Sequence, residues 1–225
     1  IATGQPVYDF EDKFREYIGN PNLISLHSGT DALHLAYILA GIQPGDKIAI
    51  CGRNSAHWTV TFLAIITYGA VAAPILHEFK ADNVHNIVNH SESKLLFVGD
   101  VVWENLNENA MPNLEGIILV NDFSVLISRS EKLTYAREHL NEMFGKKYPR
   151  NFRKEHIKYH EDKPEELAIL NYTSGTTSSS KGVLLPHRAI WSNLRFALDV
   201  LPLKPGNKLV SMLPMAHMYG LAFEF

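Results

Sequence analysis

The densest chemistry in the sequence lies in one short run, Tyr172-Thr173-Ser174-Gly175-Thr176-Thr177-Ser178-Ser179-Ser180-Lys181-Gly182. It holds hydroxyl side chains, glycines and a lysine, and no aliphatic residue. Such a run suits a phosphate chain: backbone N–H groups and hydroxyls donate to phosphate oxygens, and the ammonium adds a point charge. A flexible Ser/Thr-rich surface linker is the competing reading of the composition alone. The flanks decide between them. Leu167-Ala168-Ile169-Leu170 in front reads as a buried strand, and Gly182-Val183-Leu184-Leu185 behind reads as another. Linkers seldom join two buried strands. A P-loop is excluded, although Gly175 and Lys181 have its spacing. Ser180 stands at its second glycine and Gly182 at its metal-binding hydroxyl, and a strand follows in place of a helix.

Other chemically suggestive groups are weaker. His156 and His160 are spaced i, i+4, with Glu155, Glu161 and Asp162 nearby. Two histidines on one helix face could hold a metal, but with no third ligand a solvated charged face accounts for them, so no metal site is expected. Cys51 is the only cysteine. It excludes an intrachain disulfide and a thiolate zinc cluster, fits a reducing compartment, and is expected to be a buried small residue after a strand.

The elements that would position the run alternate. Lys47–Cys51 reads as a strand. Asn54 or Ser55 caps a helix through Tyr68, and Ala70–Ile75 is a strand. A helix follows over 81–91, a strand over 94–98, a short helix over 101–109 and a strand over 116–120. Strand and helix alternating at this spacing predict an α/β fold. Its sheet would be mostly parallel and doubly wound, with helices on both faces. Ligands in such sheets sit beyond the carboxyl ends of the strands, where the 173–182 loop stands. Residues 120–165 break the alternation and read as a surface excursion, with a helix over 133–144. The sheet then receives 167–172 and 183–185. A helix over 188–201 and a strand over 208–214 complete the pattern. Upstream, Phe10 to Ile18 is a short amphipathic helix, Leu23–Leu26 a short strand, and Ser28-Gly29-Thr30 opens a helix to Ala40. In that helix Leu33, Ala36, Tyr37 and Ala40 share a face, and Gly41 is its stop.

Composition narrows the class. The chain has 225 residues, 46% hydrophobic and 20% charged, with net charge -3. That suffices for one domain with a sizeable core, and argues against nucleic-acid binding as the main function. The first twenty residues mix charged and apolar side chains, so no signal peptide is read there. Trp58 to Leu76 lacks charge but contains threonines, Gly69 and Pro74. A buried helix, a turn and a strand explain it better than a membrane span. A cytoplasmic location is expected.

The loop resembles the signature of the adenylate-forming superfamily, which includes acyl-CoA synthetases, luciferases and peptide-synthetase adenylation domains. The usual form is Tyr-Thr-Ser-Gly-Thr-Thr-Gly-x-Pro-Lys-Gly. Residues 172–177 and 181–182 keep it; Ser178 replaces the glycine and Ser180 the proline. The first change removes the most permissive backbone position of the loop. Further likeness lies in Gly41–Ile50, Asn54-Ser55, Leu63-Ala64 through Val71 with Pro74, and Leu185-Pro186-His187-Arg188. Leu213-Pro214-Met215-Ala216-His217-Met218-Tyr219-Gly220-Leu221 is similar to the next motif, Leu-Pro followed by His-x-x-Gly. Coverage is about 41–225, and the wording is most similar to bacterial long-chain fatty acyl-CoA synthetases.

In that family a fatty acid carboxylate attacks the α-phosphate of ATP, diphosphate leaves, and coenzyme A thiol displaces AMP. The resemblance implies that Thr173, Ser174, Gly175, Thr176, Thr177 and Lys181 hold the ATP phosphates, with Mg2+ as second cation. It implies that His217 lies near the acyl carboxylate and gates the pocket; a satisfied buried histidine is the plainer alternative. Members are much longer than this chain. The expectation is therefore an N-terminal portion, inactive alone, without the small C-terminal domain. A homodimer, or a C-terminal half on another chain, are the assemblies left open. Residues 10–19 and 26–36 are instead similar to sugar aminotransferases that use pyridoxal phosphate, in which Ser-Gly-Thr opens a phosphate-holding helix. No Schiff-base lysine follows in a recognisable setting, so residues 1–40 are set apart as a segment of uncertain origin. The readings carried forward are thus an acyl-CoA synthetase portion, a non-catalytic or split-enzyme partner module, and an aminotransferase-like protein.

Overall fold

The structure is a computed structural model; it describes residues 29–147, 159–173 and 181–223 except 203, 205 and 209, and residues 9, 12, 13, 16 and 17. The elements in chain order are α1 (Gly29–Ala40), β1 (Lys47–Cys51), α2 (Ala56–Tyr68), β2 (Val71–Ile75), α3 (Ala81–His90), β3 (Leu95–Val98) and α4 (Asp100–Trp103). Then come β4 (Gly116–Leu119), β5 (Val125–Ser128), α5 (Glu131–Lys147), β6 (Leu167–Thr173), β7 (Lys181–Pro186), α6 (His187–Val200) and α7 (Met218–Phe223). Of the two expectations nearest the N-terminus, the described positions within 10–18 are helical, and the strand over 23–26 lies outside the described residues.

One sheet runs in the order β5-β4-β3-β1-β2-β6-β7. The strands from β4 to β6 are parallel to their neighbours. Every residue of β2 and β3 is buried, as a strand covered on both faces requires. One face holds Ile48, Ile50, Leu95 and Phe97 against Trp58, Phe62 and Ile65 of α2 and Leu33 and Tyr37 of α1. The other holds Ala49, Ala73, Leu96 and Val98 against Val84, Ile87 and Val88 of α3. This is the doubly wound α/β arrangement the alternation predicts. Its edges depart from parallel: β5 pairs antiparallel with β4, and β7 antiparallel with β6.

The charge-free stretch 58–76 resolves into α2, a turn and β2. Ser55 Oγ accepts from the Trp58 N–H at 3.0 Å and starts the helix. Gly69, with φ 87°, ends it, its N–H and that of Ala70 returning to Ile66 and Ile65. No helix of the described residues is long and apolar enough to cross a membrane.

Three expectations need correction. The helix over 101–109 stops at Trp103, because the Asn105 side chain takes the Val101 carbonyl and the buried His85 ring takes the Asn107 N–H. The 120–165 excursion is not wholly on the surface. Phe123 turns the chain at φ 62°, β5 joins the sheet, and Leu133 and Ala136 of α5 are buried. The strand over 208–214 is not formed among its described residues. Val210 and Met212 are exposed, and the Asn54 side chain holds the Leu213 carbonyl.

Candidate active site

Two strand ends carry the hydroxyl-rich run. Tyr172 and Thr173 close β6; Lys181 and Gly182 open β7. The antiparallel register sets Thr173 opposite Lys181 and Tyr172 opposite Gly182. The structure therefore brings Thr173 and Lys181 side by side at the tip of a hairpin, both exposed. Ser174, Gly175, Thr176 and Thr177 lie outside the described residues, as do the two departures, Ser178 and Ser180. Among the described residues Lys181 forms no ion pair.

The loop end of the hairpin is anchored by Tyr172, one pair below the tip. Its hydroxyl lies 2.7 Å from His90 Nδ1 at the end of α3, with the rings edge to face at 5.7 Å. Burial pushes the phenol up to about 12, so it remains protonated. A side chain at Gly182 would press on Leu170, with an added Cβ 3.2 Å from its Cδ1, and would touch the Tyr172 ring at 3.4 Å.

Next to Tyr172, the buried Asn171 donates from Nδ2 to the Ala216 carbonyl at 3.3 Å. This contact ties β6 to the motif around His217. His217 precedes α7, and its ring is exposed, accepting at Nδ1 from the Tyr219 N–H at 3.2 Å. The plainer alternative of a buried, satisfied histidine does not hold. The turn is tight: the His217 N–H returns to the Pro214 carbonyl at 2.9 Å, and an added Cβ on Gly220 would stand 2.6 Å from that oxygen.

A cleft of about 860 Å3 opens at the carboxyl ends of β1 to β4, lined among others by Arg53, Asn54, His57, His77, Lys80 and Asp100. It sits where β1 leads to β2 on one side and β3 lies on the other, the switch point at which such sheets part. Gly52 and Gly99 meet at its floor, where a Cβ on Gly99 would be 3.3 Å from Gly52 Cα. Sequence reasoning located the carboxyl ends but not this cleft, whose walls come from four separate loops. It also missed Asn171 and His90, and read Asn54 only as a helix cap. No local pattern marks such long-range partners.

Of the suspected histidine pair, His156 lies outside the described residues. His160 Nε2 is 2.8 Å from Glu166 Oε2, and that hydrogen bond holds the Glu166 carboxyl below its usual range. Among the described residues no three His, Cys, Asp or Glu side chains converge on a metal position. Cys51 is buried at the end of β1, as expected.

A profile of the family described as AMP-binding enzyme matches residues 30–225. The match begins inside α1, which packs on α2 of the common core, and gives the aminotransferase likeness of the head no support. Long-chain-fatty-acid–CoA ligase 5 of Rattus norvegicus is 30% identical over 193 residues, spanning 80% of this chain and 27% of that protein. This chain thus covers only about a quarter of that relative's length. Among solved structures, a long-chain-fatty-acid-CoA ligase (FadD1) from Archaeoglobus fulgidus superposes with a TM-score of 0.66 at 21% identity, covering 99% of this chain and 44% of that one. ATP-bound MatB from Rhodopseudomonas palustris gives 0.64 at 22%, covering 87% and 36%. At these identities the two structures speak for the fold alone.

Proposed function

The chain belongs to the AMP-binding enzyme family, and from that membership we propose that it supplies the phosphate-holding N-terminal α/β part of an ATP-dependent fatty acyl-CoA synthetase. The observation that carries this reading is the hairpin tip, where Thr173 and Lys181 are cross-strand partners. The run between them is rich in hydroxyls and glycine. On this reading Thr173, Ser174, Gly175, Thr176, Thr177 and Lys181 surround the β- and γ-phosphates of ATP. Lys181 offsets the charge that builds on diphosphate as it leaves. The fatty acid carboxylate forms a bond to the α-phosphorus while the bond from that phosphorus to the bridging oxygen of diphosphate breaks. Coenzyme A thiol then forms the thioester, loses its proton and expels AMP. His217, exposed beside the strand that carries the loop, stands near the acyl carboxylate.

Residues 41–225 form one α/β unit on this reading, with α1 packed against it. Because the chain spans 27% of its rat relative, the complete reaction is assigned to a protein in which this unit is joined by further segments. The 225-residue chain alone is expected to be inactive. Cys51, buried and single, fits a reducing, cytoplasmic setting.

The test has two arms. Lys181→Ala in an enzyme containing this unit should weaken ATP binding by about tenfold to a hundredfold, the loss of a charge-assisted contact. Unchanged affinity overturns the phosphate assignment. Fatty-acid-dependent exchange of labelled diphosphate into ATP should be absent with the 225-residue chain alone; exchange would overturn its proposed incompleteness.

A second reading, a module that assembles with a separately encoded partner or with another copy, is favoured by one observation. Leu184 of β7 and Trp191 and Leu198 of α6 are 66%, 59% and 70% exposed, a large apolar area on one flank. Co-purification of a second polypeptide would favour it.

A further inference from the structure

Asn54 joins two parts of the molecule far apart in sequence. It follows β1, on the wall of the cleft, and its amide grips the segment before His217 at both ends. Nδ2 donates to the Leu213 carbonyl at 2.7 Å and to Ser211 Oγ at 3.2 Å. Oδ1 accepts from the Met215 N–H at 2.8 Å. A neighbouring strand would offer the same donor and acceptor to a chain at its side; here one side chain does so. The network fixes the orientation of the amide. Rotated by half a turn, it would set donor against donor and acceptor against acceptor. Of common replacements, alanine loses both bonds, and aspartate keeps the acceptor but opposes the Leu213 carbonyl.

The segment so held delivers His217. Asn171 fixes the Ala216 carbonyl from the side of β6. Thr59 Oγ1 donates to Met215 Sδ at 3.5 Å, and Met215 and Met218 pack on the core. The His217 ring itself is exposed, so its place is set by the backbone beneath it and not by packing around it. That backbone is held from two directions by two amides, one from the end of β1 and one from β6.

We propose that Asn54 and Asn171 are positioning residues for His217, setting where its imidazole stands relative to the phosphate hairpin. The functional meaning rests on the reading of His217 given above; the positioning itself does not.

The experiment uses the 225-residue chain with labelled histidine rings and backbone amides, His217→Ala serving to assign the His217 ring signal. In Asn54→Ala, Met215 amide exchange should accelerate roughly tenfold, the scale of one net hydrogen bond. The His217 ring signal should move or broaden, while the amides of Ile48, Ile50 and Ile65 keep their protection. Asn54→Asp, which retains the acceptor, should leave Met215 exchange slow and still move the His217 signal. Asn171→Ala should move that signal without altering Met215 exchange. If Asn54→Ala does not fold, the aspartate variant and Asn171→Ala decide. His217 signals identical to wild type in the folded variants overturn the proposal. If they move as expected but His217→Ala leaves acyl-adenylate formation unchanged in an enzyme containing this unit, positioning stands and the role of His217 falls.

Discussion

Cys51 ends β1 with its thiol in the core, 3.9 Å from the Leu76 carbonyl. Burial pushes it from 9.0 up to about 12. At pH 8 the thiolate then amounts to about one molecule in ten thousand, and the thiolate is the form that reacts. Iodoacetamide at pH 8 should leave the native chain unmodified and alkylate it fully in denaturant, as mass spectrometry would read. Fast native labelling would show that β1 is not covered on that face. The sign of the pH effect follows. Between 9.0 and about 12 only the unfolded chain gives up this proton, so the group lowers stability as pH rises through that window. Tyr172 is shifted the same way by burial. Its raised value keeps the phenol protonated next to the hairpin tip, where it meets His90.

At the scale of elements, the turns that end the helices fix how neighbouring segments pack. Gly69 shows why. It caps α2 at φ 87°, and the His160 ring lies across it, so that an added Cβ would stand 2.5 Å from Cγ. The His160 N–H meanwhile donates to the Thr67 carbonyl, and its ring bonds Glu166. Residues 160–166 are thereby strapped to the end of α2, directly ahead of β6. Gly69→Ala combines left-handed strain with displacement of that ring and should lower stability by roughly 2 kcal/mol or more. The urea midpoint should fall, and residues 160–166 should become the first site of limited proteolysis. An unchanged midpoint would mean that the strap does not hold this geometry.

At the scale of the molecule, the sheet is covered on both faces near β1 and β3 and left bare toward β7. On α6, His187 and Ala197 face inward while Trp191, Phe196, Leu198 and Val200 remain exposed. Exposed apolar area of this extent marks a surface that another segment or chain covers. Trp191→Lys combined with Leu198→Lys should reduce dye binding and self-association, with little change in the urea midpoint. On the proposed module reading, the same pair should also abolish co-purification of a second polypeptide. A large drop in midpoint would place these side chains in the core of the isolated chain and refute the interface.

What the sequence determined by itself was local. The five residues of β1, a cap at Asn54 or Ser55, the stop at Gly41 and the strands flanking the hydroxyl-rich run are set by hydrophobic period and turn chemistry. These act over a few residues and leave a readable pattern. The run itself carried the proposal of a phosphate site, because residue type alone decides which side chains can donate to an anion. Tertiary structure decided what depends on distant partners. It paired β5 and β7 antiparallel at the two edges and replaced the expected strand near 210 with a segment held by Asn54. It turned His217 outward and opened a cleft beyond the carboxyl ends of β1 to β4, where Gly52 and Gly99 pack together. A side-chain amide that replaces a strand, or two glycines that meet across a sheet, has no signature in its neighbours along the chain. Both come from packing, which joins residues by shape and hydrogen-bonding need irrespective of sequence separation.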